Sequence, residues 1–565
     1  MCSARVSRFL TFFIAGIMLM PSATSSKINS TLNPTSFTGA YLAGRVANHE
    51  NKIDLAIHYF KQALSYKPDN IETQKELLEA MLSVGNFKEA VQQAKKLKEQ
   101  NVITPFVSLT LSIESLIKRD YKNAHLLLQS KGPPARHNNP IPELIGAWIT
   151  FGSGQKAQAI ADLEKIKGPD WYSLFIHYHL ALMNDLAERT QEAKKHFIQA
   201  LNNKQGNLIA PNTYERIIIA YASFQLRHNM RNQALQTMRH GEQMLSGREV
   251  LKNILKKIEK GASLERLVKT PQQGAGEVLY NFGTALNYKN SGPIARIFKQ
   301  LSFALYPQSD ATLFQLALIS AKLNNPDQAI KLYRALPPKS PYYKDGQLQL
   351  AFLLANHNNY NESIKLLHAL NKKFPNDRAM LITLAAFYMQ DHKFVEATKV
   401  LDRAIAQIKN FQRDDWKLFY QRGIAFERLD QWSKAESDLR KALEFVPNQP
   451  QVLNYLGYSL VDRDQKLEES LNILQKASAL QPQNSYILDS LGWAYYKLKQ
   501  YNKAVQILEN AVKLQPEDPT LNDHLGDAYW QVGRKREAIF QWNHAIDNEA
   551  KDSKKIEKKL KFGLQ

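Results

Sequence analysis

A Leu-Gly pair recurs at Leu456-Gly457, Leu491-Gly492 and Leu525-Gly526, with the glycines 35 and then 34 residues apart. This repeat constrains the fold more than any composition does. A unit of that length cannot bury its own apolar face and must stack on copies of itself. Behind each glycine, at matching offsets, stand a large residue (Leu460, Tyr495, Tyr529), a small one (Ser470, Ala504, Ala538), a second large one (Leu474, Leu508, Trp542) and an alanine (Ala477, Ala511, Ala545). Small residues where two helices touch, with large ones between them, describe one helix pair per unit. Pro482 and Pro516 then stop the second helix and permit the turn.

In the same register, Gly423, Ala385, Ala351, Ala317 and Gly283 hold the small first-helix position. The steps are 34 residues except one of 38, which places an insertion of about four residues within Ala406 to Lys417. Farther upstream, Gly44-Ala56-Phe60-Ala63-Pro68 form a full unit, and Ala193-Phe197-Ala200 and Ala234-Met238 mark two more. Phe87, Tyr121, Tyr360, Phe394, Trp432 and Tyr501 all fall three residues before the small position of the second helix, where a ring plugs the inter-helix turn. The expected architecture is an all-α superhelical solenoid of about fourteen helix pairs, six in a divergent N-terminal array over 37–245 and eight in a C-terminal array over 276–550. Between them, 246–275 reads as a helical linker. Leu251, Ile254, Leu255 and Ile258 stand at helical spacing there, followed by a connector at Thr270-Pro271-Gln272-Gln273-Gly274-Ala275-Gly276. Residues 551–565 read as a basic capping tail whose Ile556 and Leu560 cover the last pair while its lysines face water.

This is the tetratricopeptide pattern. The runs Asn454-Tyr455-Leu456-Gly457-Tyr458, Asp489-Ser490-Leu491-Gly492-Trp493-Ala494 and Asp523-His524-Leu525-Gly526-Asp527-Ala528-Tyr529-Trp530, with Phe540-Gln541-Trp542 behind them, resemble a family of exported tetratricopeptide proteins of the alphaproteobacterial envelope type. Upstream, Asp415-Trp416, Tyr420-Gln421-Arg422-Gly423-Ile424-Ala425 and Ala435-Glu436 look like the same family. The resemblance covers about 280–550 strongly and the rest diffusely. It implies an envelope scaffold and brings no catalytic residues with it.

The N-terminus agrees with export. Arg5 and Arg8 precede the apolar run Phe9–Met20, and Pro21 with Ser22-Ala23-Thr24-Ser25-Ser26 supplies a breaker and small residues, so 1–25 reads as a signal peptide and 26–36 as a flexible segment. As a helix the apolar run spans about 18 Å, against about 30 Å of hydrocarbon, which disfavours a permanent span. A periplasmic location follows as the expectation. The only cysteine is Cys2, so disulfide frameworks, thiolate metal sites and catalytic thiols are excluded from the mature chain.

Charge narrows the partners. The formal balance is +21, and loss of Arg5 and Arg8 leaves +19, which favours acidic partners, anionic surfaces or polymers; nucleic acid conflicts with export. Lys554, Lys555, Lys558 and Lys559 are candidates for resting on anionic lipid. Catalytic motifs fail. Gly152-Ser153-Gly154-Gln155-Lys156 has the wrong spacing for a phosphate loop and falls in an inter-helix turn. His177 and His179 point to different helix faces, and Glu468-Glu469 reads as solvated charge. No enzyme, metal site or cofactor is expected.

The candidate site is the first-helix face of the last three repeats. Three residues before, one after and four after each glycine lie Asn454, Tyr458 and Val461, then Asp489, Trp493 and Tyr496, then Asp523, Asp527 and Trp530. These offsets line one helical face, distinct from the packing face. Aromatics beside carboxylates suit an extended or basic peptide segment, with the rings partly open to solvent. Two function classes remain: a non-enzymatic scaffold binding envelope proteins in this groove, and a periplasmic subunit holding an anionic polymer such as polysaccharide or peptidoglycan on its basic surface.

Overall fold

The computed structural model describes residues 34–564 apart from 130–139, 167, 170, 204–207, 209, 246, 289–291, 358, 376 and 409. The expected signal peptide and the 26–33 stretch after it lie outside the described residues. Among the described residues there are 30 α-helices and no strand. They fall into two compact units that divide between Leu366 and Leu367.

The N-terminal unit opens with hairpins α1 (Phe37–His49) and α2 (Ile53–Tyr66), α3 (Ile71–Val84) and α4 (Phe87–Glu99), α5 (Pro105–Ile117) and α6 (Tyr121–Gln129), α7 (Ile141–Gly152) and α8 (Lys156–Glu164), α9 (Tyr172–Leu186) and α10 (Thr190–Leu201), α11 (Pro211–Arg227) and α12 (Arg231–Met244). Side-chain caps set several starts: Ser36, Asn70 and Thr104 accept backbone N–H groups three residues on. Two residues before most second helices the chain turns through a left-handed conformation, as at Asn51, Gly85, Arg119, Glu188 and Asn229. The ring column then begins those helices, with Phe87 and Tyr121 as first residues of α4 and α6.

After the hairpins, α13 (Glu249–Glu259) buries Leu251, Ile254, Leu255 and Ile258 as the spacing predicts. The expected connector at Thr270–Gly276 is a correction, because Pro271 begins a helix, α14 (Pro271–Tyr288). Gly274 is there for packing and not for a turn: the Trp148 ring lies where a Cβ would sit. With α15 (Gly292–Leu305), α14 folds back onto the array. α14 packs on α7, α9 and α11, and α15 on α3 and α5, so the first helices of successive hairpins are covered. For this reason the compact units divide well beyond the 246–275 segment. The unit continues through α16 (Asp310–Lys322), α17 (Pro326–Arg334) and α18 (Tyr343–Asn356), and α19 (Tyr360–Lys373) spans the division.

The C-terminal unit holds α20 (Arg378–Gln390) and α21 (Phe394–Ala406), α22 (Trp416–Arg428) and α23 (Trp432–Phe445), α24 (Pro450–Asp462) and α25 (Leu467–Leu480), α26 (Ser485–Lys497) and α27 (Tyr501–Leu514), α28 (Pro519–Gln531) and α29 (Lys535–Asp547), then α30 (Ser553–Phe562). The fourteen expected pairs are all present. The four-residue insertion lies between α21 and α22 and forms a short 3-10 turn, Arg413–Asp415, fastened by reciprocal Gln412 and Asp415 bonds and by an Arg378–Asp415 ion pair. The 35-residue step has an equally local cause. The turn before α25 carries two left-handed residues, Asp464 and Lys466, where the turns before α27 and α29 carry one, Lys499 or Gly533. At the helix crossings, a Cβ on Gly492 would stand 2.6 Å from Leu508 and one on Gly526 2.5 Å from Trp542, which is why the register demands glycine.

Candidate functional site

In the C-terminal unit α24 meets α26 and α26 meets α28, so the −3, +1 and +4 positions lie along the junctions of adjacent first helices. That geometry explains their burial. Asn454, Tyr458, Asp489 and Asp527 are buried, as is Val461, while Tyr496, Asp523 and Trp530 stay partly exposed. Trp493 corrects the expectation of solvent-open rings: only 6% of it is exposed. It is stacked between Tyr496, with centroids 4.6 Å apart, and His524 at 4.1 Å. Its Nε1 and the Oδ1 of Asn454 find no hydrogen-bond partner among the described residues.

His524 was not singled out from sequence, yet it ties α26 to α28: its Nδ1 donates to Asp489 Oδ1 across 2.8 Å. Burial pulls the His524 pKa down, but the charge of Asp489, its hydrogen bond, and Asp523 and Asp527 outweigh that and hold it above the ordinary histidine value. Asp489 is raised by burial, against the pull of His524. Burial likewise raises Tyr496, to about 12, with Asp527 adding to it.

The end of this face is closed by the chain itself. Lys559 of α30 donates to Asp523 Oδ1 at 2.6 Å and to both Asp527 oxygens at 2.7 and 2.8 Å, its side chain 17% exposed. Trp542 Nε1 also donates to Asp527, at 3.0 Å, and Trp530 lies 5.4 Å from the Trp542 ring. Burial and the charge of Asp523 raise the Asp527 pKa, opposed by Lys559. Ile556 is the buried anchor of α30, with Leu560 and Leu564 beside it, so the tail caps the last pair. Two carboxylates converging beside an indole make a seat for a lysine side chain.

The corresponding face of the N-terminal unit carries a network that no sequence periodicity announced. Arg216 on α11 grips Glu277 on α14 through two bonds, 3.0 and 2.6 Å, and Tyr178 on α9 donates to the same carboxylate at 3.0 Å. Trp148 donates to His179 Nδ1 at 3.1 Å, and Asn281 lies 3.4 Å from His179 Nε2. Lys299 is fully buried. Its ammonium donates to the Tyr280 carbonyl at 3.1 Å and lies 3.8 Å above that ring. Burial lowers His179 to about 4 and drives Lys299 well below the lysine range, whereas Arg216 overcomes burial and keeps Glu277 below the usual carboxylate value. The residues paired here come from five helices, and they lock a hairpin in place. The expected turn at Gly152–Lys156 joins α7 to α8. His179 is in the core, while His177 stacks on His196 with centroids 5.3 Å apart. Among the described residues no group of three or more histidine, cysteine, aspartate or glutamate side chains is placed to hold a metal.

Repeated helix pairs, small residues at each crossing and a row of first helices define an all-α tetratricopeptide solenoid, an architecture that generally serves protein–protein contact. Two stretches match repeat models: residues 492–533 a TPR repeat and residues 47–102 a tetratricopeptide repeat. No catalytic family is indicated. Over 84 residues the chain is 36% identical to the TPR repeat-containing protein PA4667 of Pseudomonas aeruginosa, a stretch amounting to 15% of this chain and 14% of that relative. Among solved structures, a tetratricopeptide repeat protein from Parabacteroides merdae is similar at 15% identity and TM-score 0.38, covering 46% of this chain and all of that one. The APC/C hetero-tetramer Cut9-Hcn1 is similar at 14% identity and TM-score 0.38, covering 94% and 97%.

Proposed function

We propose that this chain is a non-enzymatic scaffold of a bacterial cell envelope, exported by its N-terminal signal, that holds a basic segment of a partner protein on the first-helix face of its last repeats. The observation that carries this reading is Lys559, which occupies the Asp523–Asp527 seat from within the chain and displays the side-chain chemistry the seat accepts. Partly exposed Trp530 and Tyr496 extend the surface on either side, while Asp489, Trp493, Asn454 and Tyr458 fix the helices that present it. A partner lysine takes the place of Lys559 and leaves α30 held by Ile556 and its neighbours.

The test is site-specific photo-crosslinking in intact cells from position 496 or 530, with mass spectrometry of the adducts and fractionation of the cells. The reading expects a discrete envelope protein at both positions, its yield reduced by Asp523→Asn. Recovery of the chain in the cytoplasm with its Met1 intact, or absence of an adduct from both positions, overturns it.

A further inference from the structure

The tail helix α30 has a second face that the seat does not use. Lys554, Lys555, Lys558, Lys561 and Phe562 follow one another at the one-, three- and four-residue spacings that form a single helical stripe, and all of them are exposed. Ile556, Lys559 and Leu560 lie on the opposite side and are turned onto the repeats. Lys559 therefore does not belong to the lipid-facing set expected from sequence, and Lys561 does. Lys555 has a loose neighbour, Asp552 at 3.6 Å, and Lys561 arches over the Phe562 ring at 5.3 Å. Lys554 and Lys558 have no carboxylate partner among the described residues. Phe562 is 62% exposed at the end of the stripe.

We infer that this stripe docks the protein on an anionic lipid surface. Lysines alone would suit any polyanion, since attraction to a charged surface and to a soluble polymer draws on the same Coulomb interaction. Phe562 separates the two. A ring held open to water among cationic side chains gains from the boundary between headgroup and acyl chain, where lysine stems lie along the apolar layer while their ammonium groups reach the phosphates. A soluble anionic polymer offers that ring nothing comparable. The face is independent of the Asp523–Asp527 seat, so a lipid-bound chain keeps its partner-binding surface free.

The experiment uses the full chain with sedimenting vesicles of phosphatidylglycerol and phosphatidylcholine, vesicles of phosphatidylcholine alone, and dextran sulfate as a soluble polyanion. The two variants are a triple change, Lys554→Gln with Lys558→Gln and Lys561→Gln, and Phe562→Ser. Every changed side chain is exposed, so unchanged circular dichroism and thermal midpoint are required of both. Expected are binding to the anionic vesicles about tenfold or more above the neutral ones, loss of about tenfold in the triple variant, and a several-fold loss for Phe562→Ser on vesicles but not on dextran sulfate. Vesicle binding that ignores the three lysines overturns the inference, because the rest of the basic surface then accounts for it. Binding that needs the lysines but is indifferent to Phe562 on both supports also overturns it, and assigns the stripe to anionic polymers.

Discussion

Each unit has a row of first helices with polar and aromatic side chains along it, and the two rows end in opposite states. In the N-terminal unit the row is covered by the chain's own α14–α15 hairpin, fastened by the Arg216–Glu277 pair and the Tyr178, His179 and Lys299 contacts, all of them buried. In the C-terminal unit one side chain, Lys559, closes the end of the row, and it remains partly open to water. The difference is energetic. A buried, multiply bonded ion pair is costly to break because an uncompensated charge stays behind, whereas Lys559 is partly open to water and, when it leaves, Asp527 keeps the Trp542 N–H and Asp523 is reached by solvent, so that contact costs less to exchange. The same kinds of residue thus serve as internal fastening in one unit and as a replaceable contact in the other.

The sharpest way to break this comparison is Glu277→Gln, which strands Arg216 in the interior. It should destabilise the N-terminal unit by about 3–5 kcal/mol in chemical denaturation, while Lys559→Gln at the other end costs far less. A comparable cost for the two would erase the distinction between fastening and replaceable contact. Trp493→Ala removes a stacked, buried indole and should cost about 3 kcal/mol; the thermal midpoint checks it, and an unchanged midpoint would return Trp493 to the open surface. Gly492→Leu should cost about 1–3 kcal/mol by pushing α26 away from Leu508.

Tyr496→Ala and Trp530→Ala sharpen the comparison from the other side. Both rings are partly exposed, so stability should change by less than about 1 kcal/mol while binding of the crosslinked partner weakens by about 2 kcal/mol, roughly thirtyfold. The smallest effect is one of pH. His524 titrates higher in the folded chain than in the unfolded one because its carboxylates outweigh burial. Its contribution is therefore complete below the unfolded value of roughly 6.5 and is lost as pH rises through the raised folded value. Stability of the C-terminal unit relative to a His524→Gln variant should decline from about pH 6 to pH 8, as followed by thermal melts. A rise over that range would mean that burial dominates His524.

Much of the fold was legible. The glycine register, the ring column, the insertion between Ala406 and Lys417 and the inward turn of Ile556 and Leu560 are local or periodic features, and each is where the spacing places it. The α14–α15 pair was legible through Gly283, but its start at Pro271 and its return onto the array were not, because the composition of Thr270–Gly276 is that of a turn and the reason for Gly274 is a ring more than a hundred residues earlier in the chain. Glu277, Arg296 and Lys299 look like solvated positions until partners at Arg216, Ser83 and Tyr280 are brought beside them. In the candidate site, the offsets placed these residues on one face of the first helices but did not show how closely adjacent first helices approach. That approach buries Trp493 and brings in His524.

The central claim is that the N-terminal row is permanently covered by its own hairpin. Native-state hydrogen exchange of the full chain, read by mass spectrometry peptide by peptide, tests it most directly. The account predicts that α14 and α15 exchange as slowly as α7 and α9, in one cooperative opening, while α30 exchanges much earlier than α28. Early exchange of α14 and α15, with α7 and α9 still protected, would contradict it and make the hairpin a displaceable occupant.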